Sequence, residues 1–334
     1  MAGKPRAREL GIPFPGVPGP LNAIVDVAGV EVGHTTLIEG DSIRTGVTAI
    51  HPRGKANGNP AYAGWFSLNG NGEMTGTAWI DEAGLLNDPI LITNTHSVGV
   101  ARDACIRWQL ERGRDRLWFL PVVAETYDGY LNDINGFHVK PEHVWAALDS
   151  ASAGPVEEGG VGGGTGMICY GFKGGIGTSS RLVGDSTVGV LVQANHGSKS
   201  QLRLPGGWTA VAEGEELSPD RGSIIIVVAT DAPMLPHQLK ALARRAALGL
   251  ARTGAVAAMS SGDLFLAFST GNALAGPLET SHQVTALGQS ECTPLYEAAV
   301  QATEEAIINV LVAGETMTGF RGSVPAAVFV PPAS

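Results

Sequence analysis

Short apolar runs bounded by Gly, Pro, Asn or Asp punctuate the chain. They are Trp118–Val123, Val188–Gln193, Ile224–Ala229, Leu264–Phe268 and Ala326–Val330. Their length and their Val, Ile, Leu and Phe content predict buried strands. Helical spacing is confined to a few stretches. Gly99–Gly113 carries Val100, Cys105, Trp108 and Leu110, and Pro141–Ala153 opens with a proline in the first turn, where its missing N–H costs nothing. Leu235–Ala251 has Pro236 near its start and a stripe of Leu239, Leu242, Ala246 and Leu250. Thr293 is predicted to cap a last helix, with Pro294 behind it, running through Val312. Strands outnumber helices and both C-terminal helices follow strands, which points to an α/β arrangement of sheets covered by helices.

Composition narrows the function classes. Hydrophobic residues make up 44% of the 334, enough for a sizeable core in one large α/β unit or two domains. There is no internal repeat and no linker. The formal charge of −10 argues against nucleic acid and favours cationic or neutral small partners. Three distant cysteines and eight scattered histidines give neither a disulfide framework nor a metal-ligand spacing, so no metal and no cofactor are expected. The N-terminus lacks the apolar core of a signal peptide, and no run of 18 apolar residues exists. A cytoplasmic protein without a membrane partner is expected. Glycine is abundant, at 46 residues, and clusters in Glu157–Gly177. That run matches no phosphate-binding loop. Close strand approach is its expected use, and it is also the one candidate hinge.

Three Gly-Ser pairs occur, and only Gly222–Ser223 leads into an unbroken aliphatic strand. Such a pair is ordinarily punctuation. Here it sits in a series of segments that resembles the DmpA-type family of L-aminopeptidases/D-esterases and β-peptidyl aminopeptidases. The series opens with Pro5–Thr36 (P-R-A-R-E-L-G-I-P-F-P-G…G-H-T-T), Arg44–Ile50, Leu91–Gly99 (L-I-T-N-T-H-S-V-G) and Val122–Gly136 (V-V-A-E-T-Y-D-G-Y-L-N-D-I-N-G). It continues with Gly164–Arg181, Val190–Gly197, Arg221–Pro233 (R-G-S-I-I-I-V-V-A-T-D-A-P), Gly249–Gly254 and Ser260–Thr270. The resemblance implies a four-layer αββα sandwich spanning 1–334. It also implies self-cleavage at Gly222–Ser223 into pieces 1–222 and 223–334, and a homo-oligomer, commonly a tetramer, of the cut αβ units.

The chemistry fits the residue types. A serine hydroxyl is a weak nucleophile until a base takes its proton. At a new N-terminus the α-amine of Ser223, with a reference pKa of about 7.7–8.0, supplies that base. Gly222 has no Cβ to obstruct attack on its carbonyl. Ser261 and Asp263, two apart at a strand start, face one way. The resemblance places them beside the nucleophile, Ser261 orienting a proton and Asp263 holding the new ammonium or fixing Ser261. Ser260 stands where relatives are expected to have glycine. Asn195, at a strand end, is expected to donate to the oxyanion, although an asparagine before Gly197 is also an ordinary turn residue. Glu125 and Tyr127 alternate onto one face. Glu125 is expected to bind a substrate ammonium, with Tyr127 hydrogen-bonding in the same site. The substrates implied are small peptides, amides or esters with a free amine. Two other readings stand beside this one: an acyltransferase like the ornithine acetyltransferases, and an uncleaved binding protein in which Gly222–Ser223 is only a turn.

Overall fold

Strands whose residues are apolar on both faces need a covering layer on each side, and that requirement organises the molecule. The computed structural model describes residues 5–212, 222–274, 281 and 283–333. Its first half comprises β1 (Glu31–Glu39), β2 (Ile43–His51), β3 (Ala61–Ser67), α1 (Thr77–Ala83), β4 (Leu85–Leu86), β5 (Ile90–Asn94), α2 (Val98–Glu111), β6 (Val122–Thr126) and α3 (Pro141–Ser150). Next come β7 (Ile168–Cys169), β8 (Phe172–Lys173), β9 (Gly175–Val183), β10 (Ser186–Asn195), β11 (Thr209–Val211) and β12 (Ser223–Thr230). The chain finishes with α4 (Pro236–Arg252), β13 (Asp263–Ser269), α5 (Gln289–Ala313), β14 (Met317–Gly319), β15 (Gly322–Val324) and β16 (Val328–Val330).

Two sheets stack face to face. One has the order β1-β2-β5-β6, the other β4-β3-β13-β12-β10-β9. β5 and β6 run parallel, as do β12 and β13. Along β12, Ile225, Val227 and Ala229 enter the core between the sheets, where they meet Ile90, Ile92 and Ala124. The alternate residues Ile224, Ile226 and Val228 face α4 and α5. The first sheet turns Val47, Ala49, Leu91 and Val123 toward α2 and α3. The result is the four-layer αββα sandwich. Burying each of the Val, Leu and Ile side chains among these stabilises the fold by about 1.5–3 kcal/mol before entropy is counted.

The expected elements shift in four places. The strand expected at Trp118–Val123 begins at Val122 and runs through Thr126. Trp118 instead meets Trp79 edge-on, and Leu120 N–H is held by Asp88. The last helix starts a turn before Thr293, at Gln289, because the Glu291 carboxylate accepts from Gly288 N–H; Pro294 lies inside it. Ala326–Val330 is not a buried strand: only Val328–Val330 pairs, with β11, and its side chains are largely exposed. The glycine-rich run is no hinge. Gly162, Gly163 and Gly164 are buried, and a methyl group on Gly163 would strike the Ile92 carbonyl and the Gln193 side chain. Close approach is its use.

Candidate active site

Three strand ends converge where the second sheet meets the edge of the first. Ser223 opens β12, opposite Asn195 at the end of β10, and Ile224 lies beside Asp263 at the start of β13. Gly222 is pressed against β10: a Cβ there would fall inside the Asn195 carbonyl. Only glycine lets the chain enter the strand at this point. Ser223 is 5% exposed, and its Oγ accepts from Gly262 N–H at 3.3 Å. In return Ile224 N–H donates to the Gly262 carbonyl, also at 3.3 Å. Gly262 therefore ties the expected nucleophile to the Ser261–Asp263 pair.

That pair is joined directly. Ser261 Oγ donates to Asp263 Oδ1 at 2.6 Å. Asn69 clamps Asp263 from outside the motif, donating from Nδ2 to Oδ2 at 3.0 Å and accepting from Asp263 N–H at 2.6 Å. With its proton committed to the carboxylate, the Ser261 hydroxyl offers lone pairs only. An ammonium at Ser223 is the natural donor for them. Ser260 lies at the surface without a left-handed backbone, so serine fits where glycine was expected.

Asn195 is fixed at both ends of its amide. Oδ1 accepts from Ile168 N–H at 2.8 Å, and Nδ2 donates to the Tyr127 carbonyl at 2.9 Å. One Nδ2 hydrogen is left over by these bonds. Tyr127 thus enters the site by its backbone. Its side chain lies past the end of β6, 44% exposed, with the ring against Gly129. It does not share a strand face with Glu125, as alternation alone had suggested.

Glu125 is a buried carboxylate near the end of an edge strand. It accepts from Glu73 N–H at 2.9 Å and from the Thr95 hydroxyl. Burial raises its pKa above the ordinary carboxylate value, against the pull of those two bonds. An arriving ammonium would replace the lost hydration and hold it ionised. Gly72 lies between this carboxylate and Gly262: a Cβ there would lie 3.2 Å from both Glu125 Oε1 and Gly262 Cα. Gly72→Ala is accordingly expected to raise KM about tenfold for amine-bearing substrates, a cost typical of one misplaced methyl group. Steady-state kinetics on the variant checks this.

Sequence reasoning missed Gly262 N–H, Asn69, Gly72 and Thr95. The L-N-G-N-G-E stretch, Leu68–Glu73, carried a signal, but only of a turn. Among the described residues no cluster of His, Cys, Asp and Glu is arranged to hold a metal ion.

A paired-sheet sandwich with a serine at the head of an inner strand, and with the ring of neighbouring His196 turned toward Cys169 and Tyr170, fits the class of N-terminal-nucleophile hydrolases. The chain belongs to peptidase family S58, whose model matches residues 22–325. It is 53% identical to a β-peptidyl aminopeptidase of Sphingosinicella microcystinivorans, over 95% of this chain and 88% of that protein. A β-aminopeptidase of a Burkholderia species superposes with a TM-score of 0.89 at 49% identity, covering 96% of this chain and 95% of the other. The L-aminopeptidase D-Ala-esterase/amidase of Ochrobactrum anthropi, described as a prototype for the serine aminopeptidases, gives 0.89 at 47%, covering 97% and 95%.

Proposed function

We propose that this serine aminopeptidase cuts its own chain at Gly222–Ser223. It then releases N-terminal residues, β-amino acids among them, from short peptides, amides and esters. The observation that carries the reading is the Ser223 hydroxyl, held by Gly262 N–H between Ser261–Asp263 and Asn195.

In the cut, Ser223 Oγ bonds to the Gly222 carbonyl carbon as its proton leaves. The C–N bond then breaks with protonation of the nitrogen, leaving an ester and a free amine. Water hydrolyses the ester, giving a Gly222 carboxylate and restoring the Ser223 hydroxyl. In turnover the new amine takes the hydroxyl proton and passes it to the leaving amine. The acyl-enzyme on Ser223 is then hydrolysed by water. Gly262 N–H and the spare Asn195 N–H face the oxyanion in both reactions; one such donor is worth about 3–4 kcal/mol. Ser261, fixed by Asp263, holds the ammonium form of the base.

Glu125 selects substrates with a free amine. Glu125→Gln is expected to raise KM for these at least tenfold while changing kcat little. Because burial raises the carboxyl pKa, wild-type KM climbs as pH falls through a range above the usual carboxylate values. In the Gln variant that climb is absent. A pH series of KM reads both effects.

Among the described residues no helix is long and apolar enough to cross a membrane. A cytoplasmic tetramer of cut units belongs to the same proposal, on the family resemblance. Light scattering on the purified protein tests the assembly. Release of p-nitroaniline from β-alanine and alanine p-nitroanilides, but not from their N-acetyl forms, tests the activity. Equal turnover of acetylated substrates contradicts it, and acetyl transfer to an added amine acceptor would favour the acyltransferase reading.

A further inference from the structure

One buried cation takes no part in the chemistry described so far. Lys173 is 1% exposed and directs its ammonium at three main-chain carbonyls: Gly174 at 2.7 Å, Met167 at 3.0 Å and Gly164 at 3.2 Å. A protonated lysine has three donors, and all three are used. Burial draws its pKa down to about 7, with Cys169 the one charged-group influence that opposes this. The carbonyl triad also favours the ammonium, because a neutral amine would turn a lone pair toward one of the three oxygens.

The hairpin that carries Lys173 is built at a conformational cost. Tyr170 and Gly171 both have positive φ, the pairing a type I′ turn requires. A buried tyrosine is unusual there. It is held by His196 O, which accepts its N–H at 2.7 Å, and by Thr253 Oγ1, 2.7 Å from its hydroxyl. The turn sets Ile168 opposite Lys173. The result is a continuous line of polar groups. Lys173 donates to the Met167 carbonyl, and the N–H of that same peptide unit, on Ile168, donates to Asn195 Oδ1 at 2.8 Å.

We infer that Lys173 is a positioning residue that acts on the oxyanion through Asn195, by way of the Met167–Ile168 peptide. A cation on the carbonyl side of a peptide makes its N–H more positive. That N–H in turn draws electron density from the Asn195 amide oxygen and leaves Nδ2–H a stronger donor. The line also fixes the amide orientation, with oxygen toward Ile168 and nitrogen toward the Tyr127 carbonyl, one N–H to spare. The inference rests on Asn195 facing the oxyanion, as in the proposed function.

The test is a double-substitution cycle of Lys173→Met and Asn195→Ala, measured with β-alanine p-nitroanilide on folded protein and with kcat expressed per cut chain, because Asn195 faces the oxyanion of the self-cut as well. Loss of a whole oxyanion donor costs about 10²–10³ in kcat, so Asn195→Ala is expected to fall in that range. Weakening the donor through Lys173→Met is expected to lower kcat about tenfold, a fraction of that loss, with KM unchanged. In the Asn195→Ala background Lys173→Met should lower kcat no further. If the two effects multiply, Lys173 supports the fold alone and the inference is overturned. If Asn195→Ala leaves kcat intact, the oxyanion reading fails, and this inference with it. Should Lys173→Met not fold, Lys173→Gln, which retains a donor without the charge, enters the same cycle under the same criteria.

Discussion

Ser223→Ala is expected to yield a single uncut polypeptide with no measurable aminopeptidase activity, a loss of about a million-fold in kcat by analogy with other serine nucleophiles. The size follows from one residue holding two roles. In the proposed mechanism its Oγ is both the group that attacks Gly222 and the group that carries the acyl intermediate. Its amine, exposed only by the proposed cut, would be the base. Alanine removes the first and thereby prevents the second. The packing cost is small, because among the described residues Oγ makes one hydrogen bond, from Gly262 N–H, and the methyl group fits the buried strand. A denaturing gel and a p-nitroanilide assay on the same sample check the prediction. Normal turnover by the variant would remove Ser223 from the chemistry.

Ser261→Ala is expected to have the next largest effect, lowering kcat by about 10²–10⁴, the range for a positioned proton-transfer group. The substitution strips Asp263 Oδ1 of its 2.6 Å donor and, in the proposed mechanism, deprives the Ser223 amine of its acceptor. Asn69 still holds the carboxylate through Oδ2 and the backbone, so the local structure survives. A buried acceptor left one bond short costs about 1–3 kcal/mol. Melting therefore moves down by several degrees while KM stays near its wild-type value. Kinetics and a thermal melt on the cut variant separate the two consequences. A fall in Tm without a fall in kcat would leave Ser261 a purely structural residue.

How far the sequence alone reached depended on the range of the interactions. β10, β12 and β13 were legible because each is aliphatic on both faces, a pattern that needs no knowledge of neighbours. β9, by contrast, carries Ser179, Ser180 and Arg181, all buried. Arg181 is tolerated there because Glu305 on α5 pairs with it at 2.7 Å, and Ser180 because Asp26 accepts from it at 2.6 Å. No local pattern announces partners 124 and 154 positions away. β1 and β2 escaped notice because Thr, His and Arg interrupt their apolar positions.

The site divides in the same way. Gly222–Ser223 stood out by its place before β12, and Ser261–Asp263 by spacing, though neither pattern separates chemistry from a turn without the family resemblance. Gly262 N–H depends on the register of β12 against β13, and Asn69 reaches Asp263 across 194 positions. A glutamate on an edge strand is ordinarily solvated, yet Glu125 is buried. The reason is supplied by Thr95 and the Glu73 backbone, which approach it from loops outside its own strand.

The central claim is that the Gly222–Ser223 bond is broken by the serine beside it to create the working amine. Intact-mass measurement of purified, active enzyme, with N-terminal sequencing of each component, tests it most directly. The expected result is two polypeptides of 222 and 112 residues, before any trimming at the first terminus, the smaller beginning S-I-I-I-V-V. Full activity from a preparation that contains only the 334-residue chain would contradict it.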